Sequence, residues 1–513
     1  MKFAISLCFL LASVIALFRT SGASTAAQAA SSISFGASSY TVEEGARSVQ
    51  VAVTRTGDIA GAVTVDYATS NGTASERTDF IPALGTLRFA PGETTKTFTV
   101  LITDNFTPEN SETIDLMLFN PSGGATVSAP DAAVVNITDN DSTPPSVNPI
   151  DDTRFFVRQQ YNDFLVREPD QAGWDFWTNE IESCGMDAQC REVKRINVSA
   201  AFFLSIEFQE TGFFVRRLYL FYFAGLSPIW REFMRDLQEV GRGVVVGAPG
   251  WEERLEANKS AFIEDWYARH RVVLESQIQN PAFPLTDERY VDGLFQKIGI
   301  TPTADERRAL IDGLTTGTET RATVLRKVAD YPAFVQREFR RAFVMTQYFG
   351  YLRRKPDFAG FEFWLTKLDQ FGGNYIEAEM VKAFISSTEY RERFTQSDAL
   401  TEAFFEFGDS SGPDTVVFKL NDPARIAEAR SLVGKSKIVI GTVIKERIYY
   451  NRAWHYHLEP ASIVFADGTV EVCDTTLKAV ENGLEAVGGS FLPGNVMCPW
   501  ASRVLREVSP PPH

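Results

Sequence analysis

Seven acidic residues, Glu44, Asp79, Asp104, Glu109, Glu112, Asp139 and Asp141, punctuate a Val- and Thr-rich stretch, each beside an apolar run or in a turn. Carboxylates crowded in this way repel one another unless a multivalent cation or solvent neutralises them, and Ca²⁺ takes about six to eight oxygen ligands. The chemistry on offer is therefore hard-cation binding. The competing reading is that these are solvated turn formers, because Asp and Asn favour turns for local hydrogen-bonding reasons.

The elements that must position them are strands. SVQVAVTRT, AVTVDYATS, TKTFTVLIT, ETIDLMLFN and AAVVNITDN alternate apolar and polar residues and are separated by Gly, Pro, Asn and Asp. That period, at this spacing, predicts two packed antiparallel sheets, an all-β immunoglobulin-like sandwich over residues 31–142. Residues 30–142 hold 14 Asp and Glu against 5 Lys and Arg, within a chain of net charge −16. Nucleic acid, which wants a basic face, is excluded as a partner; a cation is favoured.

The order of YTVEEG (Tyr40 to Gly45), VTRTG (Val53 to Gly57), Thr78 to Phe80, FAPGETTKTFTVLITDN (Phe89 to Asn105), PENSE (Pro108 to Glu112) and NITDND (Asn136 to Asp141) resembles the Calx-beta domain. That is the calcium-binding sandwich of sodium/calcium exchangers, integrin subunits and many bacterial surface proteins. The resemblance implies calcium ligands at Glu44, Asp79, Asp104, Glu109, Asp139 and Asp141, all at one end of the sandwich. Asn105 and Asn140 stand where a second Asp is common, so the implied site carries less charge and is weaker or holds fewer ions. Glu112 is left outside this set, as a sandwich-edge residue.

Residues 1–29 read as an export signal: Lys2, an apolar run from Phe3 to Phe18, and Ala27-Gln28-Ala29 as a cleavage site. The run is short for a membrane span, which needs about 20 residues; an uncleaved anchor is the competing reading. Cys8 lacks the preceding small residue of a lipoprotein signal, and no later span is expected. Export makes local disulfides, Cys184 with Cys190 and Cys473 with Cys498, the natural reading against a Cys/His metal site. The protein is expected to be secreted or held at the cell surface or in the periplasm.

STPPSVNP begins a Pro- and Ser-rich spacer, residues 143–151, after which the period changes to helical. Phe156 to Trp177 recurs as Phe343 to Trp364 at an offset of 187 residues, with 12 identical positions, so residues 152–407 read as an all-α helical repeat region. Its units begin near 155, 213, 289 and 342, each helix, turn, helix, with Asp170 and Asp357 as caps. Ala172-Gly173 and Ala359-Gly360 allow close approach, and Trp177 and Trp364 fill space between helices. The signature resembles bacterial extracellular helical repeats of unknown function, faintly like phycobilisome linker domains. Its aromatic stripe reads as core rather than as a glycan-binding groove. Trp251 to Gln277, with mixed charges, reads as a long solvated helix.

Residues 408–414 read as a second linker and 415–508 as a small α+β domain. Val416 to Val508, with EVCD and CPW, resembles a small family of secreted bacterial and slime-mould proteins labelled calmodulin-binding; calmodulin is not carried over as a partner. His455 and His457 are expected on one strand face, and with Asp474, Cys473 or Cys498 they could form a transition-metal site if the cysteines are unbonded. HExxH, GxSxG, Walker A and dinucleotide glycine motifs are absent, which argues against an organic cofactor. The leading expectation is a non-catalytic exported protein that binds Ca²⁺ and meets an unidentified protein or glycan partner at a surface or matrix. The alternative is an exported enzyme or metal-dependent effector centred on the C-terminal domain.

Overall fold

The computed structural model describes residues 30–142, 145–222, 228, 230–278, 284–394, 403–409, 414–435, 437–451, 453–466, 473–500 and 502–508. The export signal expected at 1–29 lies outside the described residues. No helix among them is long and apolar enough to cross a membrane.

Ten strands make the N-terminal sandwich: β1 (Ser32–Phe35), β2 (Ser39–Glu43), β3 (Ser48–Thr56), β4 (Val63–Asn71), β5 (Phe80–Ile81), β6 (Leu84–Phe89), β7 (Thr95–Ile102), β8 (Glu112–Phe119), β9 (Thr126–Val127) and β10 (Ala132–Thr138). One sheet runs β5-β7-β3-β1-β9 and the other β2-β10-β8-β4-β6. All pairings are antiparallel except β1 with β9 and β2 with β10. Alternation drives the layering: in β3, Val51 and Val53 face inward while Gln50 is exposed and Ala52 and Thr54 are only partly covered. Ile33, Val65, Phe80, Val100, Ile114 and Val135 complete the core, each fully buried side chain contributing about 1.5–3 kcal/mol.

The two strong repeat copies fold alike. Helix Thr153–Gln160 continues as a π turn over Tyr161–Leu165 and stops at Val166, φ +50°. Helix Pro332–Leu352 stops at Arg353, φ +51°. Asp170 then caps Gln171–Glu182 by accepting from the Gly173 amide at 2.8 Å, and Asp357 caps Phe358–Gln370 through Gly360 at 2.8 Å. The copies pack on each other: the Phe164 ring stands edge-on to Tyr351 at 5.1 Å, in space that a Cβ on Gly350 would fill. Trp177 and Trp364 meet Phe202 and Phe384 between helices.

Three sequence expectations need correction. The helix Trp251–Ile278 is not a solvated rod; Leu255, Phe262, Ile263, Trp266 and Leu274 are buried along it, together with Lys259, which pairs with Glu210. The described part of the first spacer is docked: Ile150 is fully buried, Asn148 Nδ2 donates to the Arg391 carbonyl at 3.0 Å, and Asp151 holds Arg391 at 2.7 Å through both oxygens. Ala403–Asp409 is a strand rather than the end of the helical region and the start of a linker. It pairs antiparallel with Thr415–Leu420 and with Ser502–Val508, because its alternating Phe405 and Phe407 enter the C-terminal core.

The remaining C-terminal elements follow the expected order. Asp422 caps Pro423–Leu432, and Ile438–Ile444 pairs with His457–Leu458, Val464–Ala466 and Val496–Met497. Both cysteine pairs, Cys184–Cys190 and Cys473–Cys498, are bonded.

The three regions pack as a continuous solid. Arg231, buried on helix Trp230–Gly241, pairs with Glu76 of the sandwich and Glu446 of the C-terminal domain and donates to the Thr69 carbonyl at 2.9 Å. Arg393 and Arg353 converge on fully buried Asp163, and Arg353 also donates to the carbonyls of Glu76 and Phe80. Phe404 and Tyr450 pack against Met117 of the sandwich.

Candidate metal centre

The acidic residues collect at the end of the sandwich where β2, β7 and β10 finish and β8 begins. Register explains the convergence: Glu112 pairs with Ile137, two residues before Asp139, and Thr138 pairs with Glu43, next to Glu44. Asp79 enters from the loop before β5. Ligand oxygens of Glu44, Asp139 and Asp141 lie within 4.8 Å of one another, as do those of Asp79, Glu109 and Glu112. Glu44, Asp79, Glu109, Glu112 and Asp139 line one small cavity. Asp104 is close enough to Asp139 and Asp141 for their charges to be felt.

The loops are held by their own side chains. Asp139 accepts from the amides of Glu109 and Asp141, each at 2.9 Å, and Glu44 accepts from the Asn105 amide at 3.1 Å. Asp79 accepts from the Ser75 amide at 2.7 Å. The two amide substitutions serve the same end: Asn140 Oδ1 takes the Gly45 N–H at 3.0 Å, and Asn105 Oδ1 takes the Thr107 N–H at 2.8 Å.

Burial, then the neighbouring negative charges of Glu109, Asp104 and Asp141, push the Glu44 carboxyl up to about 9. Burial and the charges of Asp79 and Glu109 push Glu112 up to about 10, and Asp104 and Asp141 are also raised, first by burial. Asp104 Oδ1 and Asp141 Oδ2 are buried without a hydrogen-bond partner. Buried oxygens are rarely left so, and an all-oxygen donor set with spare lone pairs fits a hard divalent cation.

Residues 27–141 match the Calx-beta domain family. Over 102 residues the chain is 40% identical to the sodium/calcium exchanger Calx of Drosophila melanogaster, covering 20% of this chain and 11% of that protein. The N-terminal sandwich is a Calx-beta domain. An adhesion G-protein coupled receptor V1 of Danio rerio is 35% identical over 101 residues, 20% of this chain and 2% of the receptor. The crystal structure of the apo-form Calx CBD1 domain is 38% identical and covers 22% of this chain and 99% of that one, with a TM-score of 0.22. The chain thus spans only a small part of the curated relatives it matches. Residues 149–212 and 333–394 match a domain of unknown function (DUF4214), and 401–511 the BP-74 N-terminal domain.

Of the acidic residues singled out in the sequence, the fold brings all seven to this end of the Calx-beta domain. Glu112, set aside as an edge residue, sits inside the cluster because β8 begins there; its three-residue spacing from Glu109 was the available signal. Two basic residues were not anticipated. Arg47, in the left-handed conformation just after Glu44-Gly45-Ala46, lies over the Trp174 ring at 4.6 Å. Arg158 donates to the Ile102 carbonyl at 2.7 Å and pairs with Glu168. Phe106 packs on Phe155. The acidic end of the Calx-beta domain therefore abuts the first helical unit.

The histidine site expected in the C-terminal domain does not assemble. His455 is half exposed and pairs with Glu481 at 2.5 Å, whereas His457 is buried with Nδ1 against the Glu446 carbonyl at 2.9 Å. Only His457 belongs to a strand, so the shared-face argument fails. Cys473 and Cys498 are bonded to each other, and Asp474 is exposed and receives the Trp500 amide at 3.2 Å.

Proposed function

We propose that this is a non-catalytic, exported modular protein whose Calx-beta domain binds Ca²⁺ through Glu44, Asp79, Asp104, Glu109, Glu112, Asp139 and Asp141, and whose helical and C-terminal regions form a rigid platform for contact at a cell surface or matrix. The observation that carries it is the pair of buried, unpartnered oxygens on Asp104 and Asp141 amid raised carboxyl pKa values. Calcium supplies the positive charge that lets this cluster ionise. Glu44, Asp139 and Asp141 would hold one position, and Asp79, Glu109 and Glu112 a neighbouring one. Two disulfides suit an oxidising compartment.

Ionising the cluster fixes the loops that carry Arg47 and Phe106, which touch Trp174 and Phe155. Calcium would thus consolidate the seam between sandwich and helices.

The test is calorimetric titration of the full chain with Ca²⁺, with thermal melting in calcium and in chelator. Saturable binding and a raised melting temperature, both lost in Asp104→Ala/Asp139→Ala, support the reading. Absence of heat and of a melting shift would reduce the sandwich to a structural module.

A further inference from the structure

A cleft of about 790 Å³ opens where helices Asp287–Ile298, Pro332–Leu352 and Phe358–Gln370 meet the turn at Gly494 of the C-terminal domain. Its size is that of a small-molecule site at a domain boundary. Phe334, Met345, Phe358 and Phe361 give it an apolar floor and rim, and Phe358 is 82% exposed.

The charge of the lining is the unusual part. Five cations, Arg216, Lys297, Arg337, Arg341 and Lys355, face two carboxylates, Glu338 and Asp357. Glu338 is taken by Arg216 at 3.0 Å and by Arg337 at 3.2 Å, Lys297 donates to Gln277 at 2.5 Å, and Asp357 is occupied as a helix cap. Arg341 and Lys355 are both exposed and make no close ion pair among the described residues; Lys355 lies near enough to Glu459 of the C-terminal domain for its charge to be felt, whereas Arg341 faces a second cation, Arg216. Arg216 is more than nine-tenths buried, and its Nε has no hydrogen-bond partner. In a chain of net charge −16, an excess of cations gathered beside exposed aromatic side chains is not the default surface. A bound carboxylate would pair with Arg341 and Lys355 while its apolar body covered Phe358 and Phe361.

We infer that this cleft binds a small carboxylate-bearing amphiphile, with the anion at Arg341 and Lys355 and the apolar body on Phe334, Phe358 and Phe361. The experiment is calorimetric titration of the full chain with decanoate and with 4-phenylbutyrate, which separate an aliphatic from an aromatic body, beside decyltrimethylammonium and inorganic phosphate. Saturable one-to-one binding of at least one carboxylate is expected. It should weaken about tenfold in Arg341→Glu/Lys355→Gln and in Phe361→Ser, with the melting temperature of each variant recorded so that loss of binding is separated from loss of folding. The proposal is overturned if neither carboxylate binds, if the Arg341→Glu/Lys355→Gln variant binds as tightly as the natural chain, or if decyltrimethylammonium or phosphate binds equally well.

Discussion

At the scale of single residues, the acidic cluster makes stability depend on pH in a definite direction. Glu44 and Glu112 hold protons in the folded, calcium-free protein up to about 9 and about 10, against ordinary values of 4.5. Between those limits the folded state binds more protons than the unfolded one, so stability falls as pH rises. Thermal melting in chelator is expected to drop steadily from pH 5 to pH 9, and excess Ca²⁺ should flatten that slope. Calcium binding should release protons, seen as binding heats that differ between buffers of different ionisation enthalpy. A melting temperature in chelator that is level or rising over this range would contradict the protonated cluster. A second residue-scale prediction concerns Asp163, which pairs with both Arg393 and Arg353 in the interior. Asp163→Asn leaves two buried guanidinium groups short of a counter-charge and should cost about 3–5 kcal/mol in urea unfolding.

At the scale of elements, what was legible in the sequence is what repeats with a period. The sandwich strands and the helix pairs with their Asp caps announce themselves through alternation and through the 187-residue recurrence. The helix at Trp251–Ile278 hid because its buried stripe, Leu255, Phe262, Ile263 and Trp266, is interleaved with charges, including Lys259, itself buried against Glu210. Glu112 hid because its neighbours depend on which residue of β10 it pairs with, and pairing register is not written in one strand. Arg47 and Arg158 hid because the seam they form joins two regions whose packing no local pattern encodes. That seam supports a prediction. Trp174→Leu keeps an apolar side chain but removes the ring under Arg47, and it should weaken Ca²⁺ affinity of the full chain about fivefold by calorimetry. Unchanged affinity would mean that the helical unit is indifferent to the acidic loops.

At the scale of the whole molecule, charged side chains cross every boundary between the three regions, and the regions are expected to unfold together. Arg231→Ala leaves Glu76 and Glu446 without their shared partner and is expected to split a single melting transition into separable steps and to expose the regions to limited proteolysis. One cooperative transition in the variant would show that apolar contacts, such as Phe404 and Tyr450 against Met117, suffice. The same junction bears on how the chain is made. Arg231 follows Glu76 by 155 positions and precedes Glu446 by 215. As the polypeptide leaves the ribosome N-terminus first, the sandwich and helices can form while half of that clasp is still unsynthesised. The nascent protein must carry a half-paired arginine on an open face until the segment bearing Glu446 arrives, so a chain truncated before Glu446 would leave an unlatched body.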